Sequence, residues 1–141
     1  MLRKVFSLVS ALALIATMSF SVSANEFDTI IDDGPIIEEY SYTSSATIGF
    51  GIVNKQATCD CSLIGYSGTT TKITVTQTLQ RKDGNSWYDV TSWSDTFYNW
   101  YCNFANTTTL PSGTYRHKTV FKVYSGSSYE TITLYSVEDS C

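Results

Sequence analysis

The chain has 141 residues, nine bases against thirteen acids, one histidine and a hydrophobic share of 43%, for a formal charge of −4. That supports one core of ordinary domain size. The bases form no run, so no nucleic-acid partner is expected.

Met1-Leu2-Arg3-Lys4 opens a basic start, an apolar stretch follows from Val5 to about Phe20, and Val22-Ser23-Ala24 offers a small-x-small cleavage site. These are the three parts of a secretory signal peptide, and cleavage is expected after Ala24. A membrane anchor fits less well, because Ser7, Ser10, Thr17, Ser19 and Ser21 interrupt a run already near the minimum for a span. No later stretch is apolar enough to cross a bilayer, so no transmembrane segment is expected in the mature chain. The chain shows no apolar tail or sortase-type anchor near Cys141, so release outside the cell is the expected fate.

Residues 25–44 read as a flexible acidic arm. Glu26, Asp28, Asp32, Asp33, Glu38 and Glu39 fall before Tyr40 with no base among them. Their spacing fits no EF-hand loop, and a solubilising arm is the expectation. The body, 45–141, reads as one domain of strands.

Ile48, Phe50 and Ile52 share one face of the first strand. Ala57, Cys59, Cys61 and Leu63 share one face of the second. Thr71 to Gln80 alternates most cleanly, with Ile73, Val75 and Leu79 on one side and threonines on the other. Asp83-Gly84 marks a hairpin, and Trp87 to Trp93 returns as a strand. Residues 97–105 read as the next strand, with Trp100, Cys102 and Phe104 on one face. Leu110-Pro111-Ser112-Gly113 is a turn, and Tyr115, His117, Thr119, Phe121 and Val123 alternate on the long strand after it. Ser125-Gly126-Ser127 turns the chain back into Tyr129 to Ser136, with Ile132 and Leu134 inward. Seven short strands with regular turns and no helical period predict an all-β fold, an antiparallel two-sheet sandwich.

Tyr115, just after the Leu110-x-x-Gly113 turn, resembles the tyrosine corner of immunoglobulin-like sandwiches, in which the phenol bonds back to the preceding backbone. The order of motifs resembles a group of short secreted proteins of Gram-positive bacteria. These motifs are the strand at 71–82, Asp-Gly-Asn-Ser-Trp at 83–87, Gly-Thr-Tyr-Arg at 113–116 and Tyr-Glu-Thr-Ile-Thr-Leu-Tyr-Ser at 129–136. The resemblance covers about residues 45–136. It implies export and an immunoglobulin-like sandwich, and it adds no catalytic residue. Two residues after the corner tyrosine, where antibody domains carry a cysteine, this chain has His117.

Cys59, Cys61, Cys102 and Cys141 all lie in the part expected to be exported, so disulfides are expected. A bridge between Cys59 and Cys61 is disfavoured, because an extended strand holds i and i+2 at the edge of disulfide reach. In an immunoglobulin-like order the second strand neighbours the fifth. One of Cys59 and Cys61 is then expected to bond Cys102, and the other Cys141. A zinc site from these cysteines and His117 is the weaker alternative, since structural zinc ligands favour wider spacing in turns. No metal and no cofactor are expected.

His117 is the only histidine, and no Gly-x-Ser-x-Gly elbow accompanies it. A hydrolase is therefore the weakest reading, and no catalytic residue is assigned. The aromatics carry the best hint. Eight lie between Trp87 and Phe104, more than alternation lets a core absorb. Tyr88, Trp93, Tyr98 and Tyr101 are the expected ligand-binding residues of a non-enzymatic module for a glycan, the cell envelope or a protein ligand. The alternative is a secreted effector acting on neighbouring cells, although the body lacks the basic amphipathic character of membrane-active chains.

Overall fold

The computed structural model describes residues 40–141. The segment expected to be a signal peptide and the expected acidic arm up to Glu39 lie outside the described residues. The strands are β1 (Thr43–Val53), β2 (Gln56–Gly65), β3 (Lys72–Asp83), β4 (Ser86–Phe97), β5 (Tyr101–Thr109), β6 (Thr114–Ser125), β7 (Ser128–Tyr135) and the two-residue β8 (Asp139–Ser140). The first sheet runs β1-β2-β5. The second runs β4-β3-β6-β7, with β8 pairing β6, and every pairing is antiparallel. The fold is an all-β two-sheet sandwich. Among the described residues no helix is long and apolar enough to cross a membrane.

Alternation accounts for the layers. Ile73 and Val75 of β3, Phe121 and Val123 of β6, and Ile132 and Leu134 of β7 point inward against Cys61, Leu63 and Cys102 of the facing sheet. A second cluster joins Ala57, Cys59, Leu79, Leu110 and Tyr115. Burying each large apolar side chain contributes about 1.5–3 kcal/mol before the entropy of ordering it. Gln77 sits fully buried between these clusters. Its Nε2 donates to Cys59 O at 3.3 Å and Phe104 O at 3.1 Å, and its Oε1 accepts from Asn106 Nδ2 at 2.8 Å. That one side chain ties the two sheets together by polar contacts.

The turns follow their residues. Asn54 and Lys55 both take positive φ, 51° and 64°, which suits the two-residue loop between β1 and β2. Gly84, at φ 64°, closes the Asp83–Ser86 hairpin. The chain differs from expectation between β4 and β5. Phe97 ends β4 instead of opening the next strand, and β5 starts only at Tyr101. Asn99 explains this, because its Oδ1 accepts from Trp100 N at 2.8 Å and stabilises the bend.

The turn before β6 is fastened on several sides. The Tyr115 phenol donates to Pro111 O at 2.8 Å. Leu110 N donates to Lys55 O at 2.8 Å, and Gly113 exchanges two backbone bonds with Cys141, at 3.1 and 3.0 Å. Asp139 Oδ2 accepts from Ile52 N at 3.0 Å, which ties the tail to β1. At the opposite end, the Glu130 carboxylate accepts from Ser41 N at 2.9 Å and Tyr42 N at 3.0 Å. Tyr40 and Tyr42 pack on the core beside it.

Candidate functional site

The bend between β4 and β5 sets four aromatics in a row with different fates. Phe97 turns inward and meets Phe104 edge-on, ring centres 6.1 Å apart. Tyr98 stands out at the tip, 82% exposed. Trp100 and Tyr101 meet edge-to-face at 5.1 Å and 81°, a favourable arrangement for two aromatic quadrupoles. Trp100 O accepts from Gly65 N at 2.6 Å, which fixes the indole's backbone against the end of β2. Ile64 is paired with Tyr101 across the sheet, and it faces out because Leu63 faces in. Together these residues border a shallow cleft of about 220 Å³ lined by Ser62, Leu63, Ile64, Trp100, Tyr101, Cys102 and Asn103.

Of the four ligand-binding residues expected from the sequence, Tyr101 lines this cleft, and Tyr98 stands exposed three residues before it in the chain. Tyr88 is exposed but sits near the other end of β4. Ten residues at about 3.3 Å each put it roughly 30 Å away. Trp93 is turned inward and packs on the cluster of Ala57, Cys59, Leu79, Leu110 and Tyr115, so it belongs with the core. Ile64 and Trp100 were not expected. The alternation predicts an inward face for Trp100, and the bend places it before the strand begins.

No family model matches the chain, and no curated protein does. Among solved structures, the solution structure of R. palustris CsgH is similar over 64% of this chain and 89% of that chain, at 8% identity and a TM-score of 0.39.

All four cysteines, Cys59, Cys61, Cys102 and Cys141, are free thiols in this structure. Cys59 stands opposite Asn106, Cys61 opposite Phe104, and Cys102 opposite Leu63. Cys102 thus faces neither expected partner directly, and lies two positions along from Cys61's own partner. Diagonal neighbours on an antiparallel pair sit about 7–8 Å apart, beyond ordinary disulfide reach. Cys141 stays by the corner, with its Sγ 3.4 Å from Pro111 O.

Burial raises the thiol pKa of Cys59 to about 12, of Cys61 to about 11 and of Cys102 to about 12. These thiols are protonated at neutral pH and are poor nucleophiles. A thiol reagent is expected to modify Cys141 quickly in the native protein and all four cysteines only after unfolding. Fewer than four titratable thiols in the unreduced, denatured protein would show a bridge instead.

His117 is fully buried on β6, and both ring nitrogens are engaged. Nδ1 lies 3.1 Å from Gly49 O and Nε2 lies 2.6 Å from Thr119 Oγ1. A carbonyl can only accept, so Nδ1 carries the proton and Nε2 accepts from the threonine hydroxyl. Burial lowers its pKa to about 4, with a smaller opposing effect from the Gly49 carbonyl. Among the described residues no three His, Cys, Asp or Glu side chains gather where they could hold a metal ion.

Proposed function

We propose that the protein is a secreted, non-enzymatic recognition module that binds a glycan of the cell envelope through Ile64, Tyr98, Trp100 and Tyr101. The observation that carries this reading is the perpendicular Trp100–Tyr101 pair beside the cleft, with Tyr98 held out in solvent next to it. Rigid aromatic side chains give large contact area at low entropy cost and keep a polar handle, as sugar recognition requires. The bend at Asn99 and the bond from Gly65 N to Trp100 O hold the platform in place without a ligand. Preorganisation of that kind lowers the cost of binding.

The test is retention of the purified protein on isolated cell walls and on a panel of neutral polysaccharides. Tyr98→Ala and Tyr101→Ala are each expected to weaken retention roughly tenfold, the scale of an aromatic anchor. Tyr88→Ala removes an exposed tyrosine near the other end of β4, roughly 30 Å from this cleft, and is expected to leave retention unchanged. Equal retention by all three variants would sink the assignment of the site.

A further inference from the structure

The outer face of the five-stranded sheet gathers cations that are scattered along the chain. β6 lies between β3 and β7. Its outward residues run Arg116, Lys118, Val120, Lys122, because Tyr115, His117, Thr119, Phe121 and Val123 point inward. Lys72 and Lys82 stand on the same face of β3. One acid, Glu138, reaches this group, 3.4 Å from Lys82 Nζ. Asp89 at the sheet edge accepts from Gln80 Nε2 at 2.9 Å. Arg116, Lys118 and Lys122 pair with no carboxylate among the described residues.

Aromatic rings hold these cations instead. The Arg116 guanidinium lies between two rings, 4.3 Å from the centre of Trp87 and 4.4 Å from that of Tyr135. Arg116 is only 8% exposed, and its Nε donates to Gln80 Oε1 at 2.8 Å. Its terminal nitrogens make no hydrogen bond among the described residues. Lys118 lies 5.9 Å from the Tyr135 ring and Lys122 lies 5.2 Å from the Tyr129 ring. A cation held over a ring keeps its charge and still has donors to offer. Threonines flank the stripe on both sides. Thr74 and Thr78 of β3 are opposite Lys122 and Lys118, while Thr131 and Thr133 of β7 are opposite Lys122 and Val120.

We propose that this face binds a linear anionic polysaccharide laid along β6, with Arg116, Lys118 and Lys122 taking its acidic groups and the threonine rows its hydroxyls. Charge complementarity selects an anionic chain. Two and four residues along a strand are about 7 and 13 Å, so the cations of β6 meet acidic groups spread along an extended chain. Single-stranded nucleic acid needs free ring faces for its bases, and here the rings carry lysine and arginine. This surface is separate from the cleft at Trp100 and Tyr101.

The test measures binding of the purified protein to polygalacturonate, with neutral dextran and duplex DNA as comparators. Polygalacturonate is expected to bind in a salt-dependent way and dextran not at all. Lys118→Gln combined with Lys122→Gln is expected to weaken binding about tenfold and to reduce the salt slope by about two, one per lost cation. The double Lys→Arg variant is expected to restore binding, and all variants to melt with the parent. Tyr98→Ala is expected to leave this binding intact, which separates its failure from failure of the aromatic site. The proposal is overturned by absence of binding at low salt, by equal binding of the double glutamine variant, or by duplex DNA binding as tightly as polygalacturonate.

Discussion

Tyr115→Ala is expected to lower the free energy of unfolding by about 3–5 kcal/mol, the range for deleting a large buried aromatic. The ring is fully buried among Ala57, Cys59, Leu79 and Leu110, so its loss leaves a cavity that neighbouring strands cannot close. The phenol adds a second effect. It donates to Pro111 O at 2.8 Å and holds the turn against the start of β6. Tyr115→Phe removes only that bond and is expected to lower stability by about 1–2 kcal/mol. β8 pairs with Thr114 and Tyr115, so the tail is expected to loosen in the alanine variant. Chemical denaturation of the three proteins checks this. A loss below about 1 kcal/mol for alanine would show that the corner contributes little. Equal losses for alanine and phenylalanine would place the whole effect in the hydrogen bond.

The parts of this molecule that were legible in the sequence are those governed by local alternation. Ile73, Val75 and Leu79 point inward as period two demands, and so does the run from Tyr115 to Val123. Gln77 shares that inward face, yet a polar residue there carries no signal in the pattern. It becomes intelligible only when β2 and β5 bring Cys59 O, Phe104 O and Asn106 within reach. The cysteine pairing was not legible for a related reason. Their proximity depends on the register between β2 and β5, and a shift of two residues separates a bridge from a diagonal pair. Half of the proposed aromatic site was legible, because Tyr98 and Tyr101 lie in one dense stretch. Ile64 joins them through strand pairing, and Trp93 leaves them because β4 faces it inward. The cationic face was invisible, since Lys72, Lys82, Arg116, Lys118 and Lys122 form no run and meet only when β3 and β6 pair.

Acidification is expected to destabilise the fold through His117. Its pKa is lowered from 6.5 to about 4 in the folded protein, chiefly because burial disfavours the charged ring. Between those two values the unfolded chain binds a proton that the native protein does not. Stability therefore rises with pH across this window. The contribution is fully present above about pH 6.5, falls as pH drops, and is lost below about pH 4. At about 1.4 kcal/mol per pKa unit, the total is roughly 3 kcal/mol. The geometry gives the same sign. Protonating Nε2 turns an acceptor into a donor facing the Thr119 hydroxyl at 2.6 Å, and that hydroxyl must then give up the bond it donates. The difference between the parent and His117→Gln isolates the histidine. Denaturant unfolding at several pH values from 4 to 7 is expected to show a steeper loss in the parent, with the glutamine variant less stable at pH 7 yet flatter towards acid. Parallel curves would mean that His117 is no more proton-resistant in the native protein than in the unfolded chain.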